Sequence, residues 1–533
     1  MEIESVLHRV MVSVERYPDR TALEIGEREC TYSELWSVAG TIAEGISQTK
    51  GKKNTPVALF ASRSFATYAG ILGILLAGRA YLPMNLRFPI SRAVRMLQLS
   101  GCDTVLISDE FKEYFRRIDV NVPDRFQVIQ VKDNGGTPVS EMRISMHKTL
   151  AAPGEKLSTG DRLPSLPRSF SETAYLLFTS GTTGEPKGIP VGHTNLNAYL
   201  DYISTIYDIG PNDRCSQAFD TTFDPSVHDI FVCFSAGSCL CPLSINDLLL
   251  PNHFITKKRL TVWYSVPSIA LRMKQVRMLK PASFPLLRYS FFSGEALPDH
   301  LAADWKKAAN RSKIVNYYGP TEVTINITEY EWIGEESSAL AVNGVVPIGK
   351  VYPTHRYAVV GDSLEEVQRG KSGELLVSGP QVTSGYLNRP EKTAENYIRM
   401  ADDDVIWYRT GDRVIELEDG TLQFLGRIDH QIQIRGFRVE ATEVESVLRR
   451  VPGVVEAIVL PIEENGGVVS GLHAFLLSHD DGELREEAMR YCLDQMPEYM
   501  VPKRFTILDK YPVTVNGKID RKQLSKMENE SDI

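Results

Sequence analysis

Leu176-Leu177-Phe178-Thr179-Ser180-Gly181-Thr182-Thr183-Gly184-Glu185-Pro186-Lys187-Gly188 leads from an apolar run into a loop dense in hydroxyls and glycines, closed by a lysine. Tyr175 to Phe178 reads as a short buried strand. The glycines let backbone N–H groups converge, because glycine alone takes positive φ at little cost. The Thr and Ser hydroxyls add donors and Lys187 adds a positive charge, a combination suited to a polyphosphate. The order differs from a Walker loop, and no helix-opening Gly-Lys-Ser/Thr follows. A bare Gly/Ser/Thr cluster is more often a flexible surface loop. Here it directly follows an apolar strand and has companions farther along.

The first companion is Asn316-Tyr317-Tyr318-Gly319-Pro320-Thr321-Glu322. Gly-Pro forces a turn. Tyr318 offers a ring to a planar base, Thr321 a hydroxyl to a phosphate, and Glu322 an oxygen ligand suited to Mg2+ held between protein and phosphates. A purely structural turn fits this stretch equally well. The second companion is Tyr408-Arg409-Thr410-Gly411-Asp412, where a carboxylate after a Gly turn can accept both hydroxyls of a ribose. Gly426-Arg427-Ile428-Asp429-His430-Gln431 and Ile434-Arg435-Gly436-Phe437-Arg438-Val439-Glu440 follow. Near the end, Asn516-Gly517 in Pro512-Val513-Thr514-Val515-Asn516-Gly517-Lys518-Ile519-Asp520 is a tight-turn signal that presents Lys518 at a tip.

The 533 residues are too many for one ordinary core. From residue 20 to 150, short apolar strands (Val57 to Phe60, Asp103 to Ser108) alternate with helical patterns (Phe65 to Ala77), which predicts βαβ units and a parallel sheet. Residues 151–170, rich in Pro, Ser and Gly, read as a connecting loop. Gly344 to Leu425 reads as a β-rich subdomain. A boundary near Gly426 to Asp429 precedes a strand (Gln431 to Ile434), a turn at Gly436 and a helix (Glu443 to Arg450). The expected fold is therefore α/β. A large multi-subdomain unit over 1–428 combines helix-flanked parallel sheets with a β-rich part, and a small α+β domain spans 429–533.

A hydrophobic content of 43%, a charged content of 24% and a net charge of −9 describe a soluble chain with no global attraction to nucleic acid. The longest apolar run, Tyr68 to Gly78, is too short to span a bilayer, so no membrane partner is expected. Seven cysteines are few and mostly scattered, and Cys233, Cys239 and Cys241 read as buried hydrophobes rather than a zinc site. Reduced thiols and an acidic N-terminus without a signal peptide predict a cytoplasmic protein.

Taken in this order, the segments resemble the adenylate-forming superfamily: amino-acid adenylation domains of nonribosomal peptide synthetases, acyl-CoA synthetases and luciferases. The resemblance spans nearly the whole chain. It begins weakly at Thr31-Tyr32-Ser33-Glu34-Leu35 and Ala80-Tyr81-Leu82-Pro83-Met84-Asn85, and ends at Lys518. Asn-Tyr-Tyr-Gly-Pro-Thr-Glu and Asn-Gly-Lys-Ile-Asp-Arg fit the amino-acid branch best. Gln433, where a lysine is common, and Asn85, where an aspartate is usual, depart from the pattern without touching the implied chemistry.

The resemblance implies ATP and Mg2+. Thr179, Ser180, Gly181, Thr182, Thr183, Gly184 and Lys187 would wrap the phosphates. Gly294, Glu295, Tyr318, Thr321, Asp412 and Arg427 would hold the rest of the nucleotide. Glu322 would bind the metal and act in catalysis with Lys518, and Asp429 would be the hinge. Asp224 matches the aspartate that pairs with a substrate α-amino group. Pro225, His228, Tyr264, Phe291, Ser293, Tyr317, Ile325 and Asn326 match the remaining pocket positions. Three bulky aromatics among them imply a small or compact neutral side chain, with L-proline expected first and alanine or serine next. His228 and Asn326 keep a polar substrate open, and His228 is equally readable as a satisfied interior histidine.

The implied reaction is formation of an aminoacyl adenylate with release of pyrophosphate, followed by transfer to the phosphopantetheine thiol of a separate carrier protein. With fifteen residues after Lys518 and no Leu-Gly-Gly-x-Ser segment among them, the carrier is expected in trans. The alternatives are an acyl- or aryl-CoA ligase, a D-alanine–carrier ligase, or a non-catalytic nucleotide-binding protein on the same fold.

Overall fold

The computed structural model describes the chain except residues 1–3, 53, 122–125, 134–141, 148–154, 158–163, 168, 182–184, 401–403, 430, 465–467, 479–482, 513–518 and 531–533. It divides into two compact units. The first comprises Met1–Leu86, Val94–Phe178 and Gly188–Ile428; the second comprises Arg87–Ala93, Thr179–Lys187 and Asp429–Ile533.

Among the described residues the first unit carries two large, mostly parallel sheets. One is ordered around Tyr81–Met84, Val57–Phe60, Thr104–Ser108 and Gln127–Lys132, all parallel. The other has a parallel centre of Cys239–Pro242, Arg214–Gln217, Val262–Ser265, Tyr289–Phe292 and Lys313–Tyr318. Crossover helices join these strands, as parallel pairing requires. The helix Phe65–Leu76 is buried along its whole length, which accounts for its unbroken apolar sequence. It packs against the helix Tyr32–Gln48 so closely that a Cβ on Gly73 would lie 2.7 Å from the Ala39 carbonyl oxygen. That second helix starts with a capping box: the Thr31 N–H donates to Glu34 Oε2 at 2.9 Å and the Glu34 N–H to Thr31 Oγ1 at 3.2 Å. The capping box gives Thr31 to Leu35 a structural role.

A third, antiparallel sheet (Arg356–Val360, Ser372–Ser378, Trp407–Glu416, Tyr397–Ile398, Leu422–Arg427) forms the β-rich part. Two local readings change. Within 151–170, Glu155–Leu157 adds an edge strand to Arg143–His147 rather than being loop throughout. Thr410-Gly411-Asp412 lies inside a ten-residue strand instead of a turn; Gly411 takes φ +69°, and the register shifts beside it, between Arg413 and Val414.

The second unit has its own core. The hairpin Gln431–Ile434/Phe437–Glu440 turns through Arg435 and Gly436, both at positive φ. The helix Ala441–Leu448 and a sheet of Glu456–Glu464, Val468–Leu477 and Arg504–Leu508 follow. No helix among the described residues is long and apolar enough to cross a membrane.

Candidate active site

In the first unit, the expected pocket residues gather at the carboxyl ends of parallel strands, where open α/β sheets bind ligands. Tyr264 and Phe291 are register partners on neighbouring strands, and Tyr317 lies near the end of the next. Ser293 follows its strand directly. Asp224 caps the helix Pro225–Ser235, whose first position is a proline already fixed at helical φ. His228 stands four residues on, on the same helical face as Asp224.

The turn after Glu322 closes the pocket. Thr324 and Ile325 take φ of 61° and 73°, an unfavourable conformation for a β-branched residue. Gln381, fully buried, over-determines this turn. Its Nε2 reaches the carbonyl oxygens of Val323, Thr324 and Asn326 at 3.2, 3.1 and 2.8 Å, and the Thr324 hydroxyl donates to the Gln381 carbonyl at 2.7 Å. The strain positions the Ile325 N–H as a donor to Asp224, which the Thr321 side chain also meets.

Asp224 is buried, and its Oδ2 has no hydrogen-bond partner among the described residues. Burial, aided by the nearby Glu322 charge, pushes its carboxyl up to about 7 despite the two hydrogen bonds. A buried, half-satisfied carboxylate is an attractive seat for a cation.

Beyond Asp224, His228, Tyr264, Phe291 and Tyr317 form one aromatic wall. Ring centroids lie 4.7 Å apart for His228–Tyr264 and 5.1 Å for Phe291–Tyr317. The polar tips satisfy one another. The Asn326 amide donates to the Tyr264 hydroxyl at 3.0 Å and to the Tyr199 hydroxyl at 3.2 Å, and Tyr199 meets His228 Nδ1 at 2.6 Å. Burial lowers the His228 imidazole to about 3, so the ring is neutral and its Nδ1 accepts from Tyr199.

Tyr318, Asp412 and Arg427 also come together in the first unit. The Tyr318 hydroxyl donates to one oxygen of Asp412, and Arg427 Nη1 donates to the other at 2.8 Å. Gly294 takes φ +84°, and Glu295 accepts the Ser268 N–H at 2.9 Å. Glu322 is fully buried, its Oε1 receiving the Tyr386 hydroxyl at 2.8 Å. One buried carboxylate beside Thr321 fits a Mg2+ whose other ligands are phosphates and water.

In the second unit, Ser180, Gly181 and Lys187 are held by the segment Arg438 to Glu443. Lys187 Nζ lies 3.3 Å from Glu440 Oε1. The Gly181 N–H donates to Glu443 Oε2 at 3.0 Å, while Arg92 binds the other oxygen at 2.6 Å. The Ser180 hydroxyl donates to the Arg438 carbonyl at 2.8 Å and accepts the Glu440 N–H at 3.1 Å. These donors thus sit on two carboxylates and a carbonyl. A Cβ at position 181 would lie 2.1 Å from the Glu185 carbonyl oxygen, so only glycine fits. Asp429 opens the long segment of this unit and accepts the Gln431 N–H at 3.1 Å. Thr182, Thr183, Gly184 and Lys518 lie outside the described residues.

Sequence reasoning missed Tyr199, Gln381, Arg92, Glu440 and Glu443. Of these, Glu440 lies in a motif already singled out and Glu443 three residues beyond it. All seven cysteines are buried and free. Among the described residues one group, Glu24, Cys239 and Cys241, has the spacing of metal ligands, but Glu24 is already ion-paired to Arg214 and Lys258.

The profile of the AMP-binding enzyme family matches residues 10–387, and that of the AMP-binding enzyme C-terminal domain matches residues 443–518. Tyrocidine synthase 1 of Brevibacillus parabrevis is 32% identical over 521 residues, covering 96% of this chain and 44% of the relative. Zwittermicin A synthase ZmaJ of Bacillus cereus is 31% identical over 520 residues, covering 96% of this chain and 93% of the relative. The chain spans less than half the length of most of the curated relatives it matches, 44% in the case of tyrocidine synthase 1. Among solved structures, the Vibrio cholerae adenylation domain AlmE, in complex with glycyl-adenosine-5'-phosphate, superposes with a TM-score of 0.89 at 29% identity over 99% of both chains.

Proposed function

The chain belongs to the AMP-binding enzyme family, as an adenylate-forming domain of nonribosomal peptide synthetase type, and we propose that it activates a small neutral α-amino acid with ATP and passes the aminoacyl group to a carrier-protein thiol. The observation that carries this reading is the buried Asp224 carboxylate with one oxygen unpartnered among the described residues. An α-ammonium completes that oxygen. A plain acyl or aryl acid leaves it unpaired at a cost of about 3–5 kcal/mol.

The residues then divide the work. Asp224 fixes the ammonium and thereby aims the substrate carboxylate. Asp412, kept ionised by Arg427 and oriented by Tyr318, accepts the ribose hydroxyls, and the Tyr318 face takes the adenine. Ser180, Gly181 and Lys187 supply phosphate donors. Glu322 would hold Mg2+, which supplies charge neutralisation for the departing pyrophosphate. A substrate carboxylate oxygen attacks the α-phosphorus; the bond to the β-phosphate oxygen breaks and pyrophosphate leaves. Both reactants are anionic, so a cation bridging them stabilises the transition state, the role assigned to Lys518. Rotation at Asp429 would then withdraw that lysine before thiol attack releases AMP.

The glycyl group held by AlmE and the expected proline, alanine and serine are all small and uncharged. Pyrophosphate exchange across a panel of amino acids and of acids lacking the amino group tests the reading. Exchange restricted to small amino acids supports it; exchange with the acids alone makes the chain an acyl- or aryl-CoA-type ligase. D- and L-alanine compared in the same panel separate the D-alanine–carrier alternative.

A further inference from the structure

We propose that Tyr199 is a positioning residue that locks the far wall of the amino-acid pocket and restricts the substrate to glycine or alanine. The inference rests on the adenylation reading above and names its substrate class.

Tyr199 lies on the helix His193–Ile206, outside the set of pocket residues that the sequence resemblance supplies. It is fully buried. Its hydroxyl is the link between two of those residues, meeting His228 Nδ1 at 2.6 Å and the Asn326 amide at 3.2 Å. Neutral His228 accepts the Tyr199 proton. The hydroxyl accepts one amide hydrogen of Asn326, and the other goes to Tyr264 at 3.0 Å. Tyr264 in turn bonds the Ser293 side chain. The circuit therefore runs Ser293–Tyr264–Asn326–Tyr199–His228, with the tyrosine tips, the amide nitrogen and Nδ1 all engaged.

Two consequences follow for a substrate side chain. Lengthening the pocket requires rings to separate that now touch edge to face: His228 with Tyr264 at 4.7 Å, His228 with Phe291 at 5.6 Å, and Tyr264 with Phe219 at 4.8 Å between centroids. The hydrogen bonds oppose that separation, because each broken one leaves a buried polar group unpaired. A serine hydroxyl arriving at this wall meets donors and acceptors already engaged with one another, and it loses its water without gaining a partner. Proline, with a ring where alanine has a methyl, meets the same closed rings.

The test is kcat/KM in pyrophosphate exchange for glycine, alanine, serine and proline, with wild type, Tyr199→Phe and Tyr264→Phe. The decisive readout is the serine-to-alanine ratio within one preparation, which partial unfolding leaves unchanged. In wild type, glycine and alanine should exceed serine and proline by about tenfold or more. In Tyr199→Phe, His228 Nδ1 and one Asn326 hydrogen are released to a substrate hydroxyl. The serine-to-alanine ratio should rise by about tenfold, with a smaller rise in Tyr264→Phe. A wild type that prefers serine or proline, or ratios unchanged in both variants, overturns the proposal. A wild type that exchanges with other amino acids but neither glycine nor alanine overturns it while leaving the adenylation reading standing. Absence of exchange with every amino acid overturns both.

Discussion

Gln381 donates its side-chain N–H to the backbone carbonyl of Asn326 at 2.8 Å, and the same amide nitrogen serves the Val323 and Thr324 carbonyls. A residue about fifty-five positions downstream thus holds the left-handed turn that points the Ile325 N–H at Asp224. Gln381→Leu strips the donor from these buried carbonyls. It should cost about 2–3 kcal/mol in urea unfolding, and it should raise KM for the amino acid while leaving KM for ATP within about twofold. An unchanged amino-acid KM would mean that the turn holds without its brace.

The pH dependence of amino-acid use follows from Asp224. Its carboxyl is held at about 7 by burial first and by Glu322 second. The folded protein therefore keeps this proton more tightly than the unfolded chain. The contribution to stability is full below the unfolded value and is lost as pH rises through about 7. Substrate binding has the opposite sign, because an ammonium needs the carboxylate. The kcat/KM for the amino acid should fall about tenfold per pH unit below this value. Asp224→Asn should remove that inflection and lower kcat/KM at alkaline pH by about a hundredfold. A wild-type profile that is flat across neutrality would contradict the assignment.

The nucleoside cradle separates by variant. Tyr318→Phe keeps the ring and loses only the hydroxyl that orients Asp412, so KM for ATP should rise a few-fold. Asp412→Ala removes the ribose acceptor and leaves Arg427 without this carboxylate; KM for ATP should rise by about tenfold or more. Neither change should alter discrimination among amino acids. Steady-state kinetics with ATP varied checks both, and the reverse ranking would misplace the ribose.

Lys518→Ala should cut adenylate formation by about a hundredfold to a thousandfold. Transfer from a preformed aminoacyl adenylate to a carrier thiol should be spared. The two half-reactions measured separately decide this; equal loss in both would remove the lysine from the first step.

Part of the fold is legible in the sequence for identifiable reasons. Strands at Val57 to Phe60 and Gln431 to Ile434 stand out because apolar or alternating residues are bounded by turn formers. Glu155–Leu157 is hidden in a Pro/Ser/Gly-rich stretch because a short, polar edge strand leaves little pattern. Gly411 reads as a turn because the residue type reports positive φ, which a bulged strand also uses. Asp224 and Tyr318 are marked by their motifs. Tyr199 and Gln381 carry no such signal: Tyr199 works through Asn326, 127 positions away, and a buried tyrosine on an apolar helix face reads as core. Glu440 and Glu443 lie in or just beyond a marked motif, but their contacts with Lys187 and Gly181 depend on tertiary placement.

The central claim is that the unpartnered oxygen of Asp224 makes this an enzyme for amino acids. Alanine and propionate differ there only in the amino group. Pyrophosphate exchange measured with each at equal concentration should be robust with alanine and lower by about a hundredfold or more with propionate. Equal exchange with the two, or exchange with propionate alone, would contradict it.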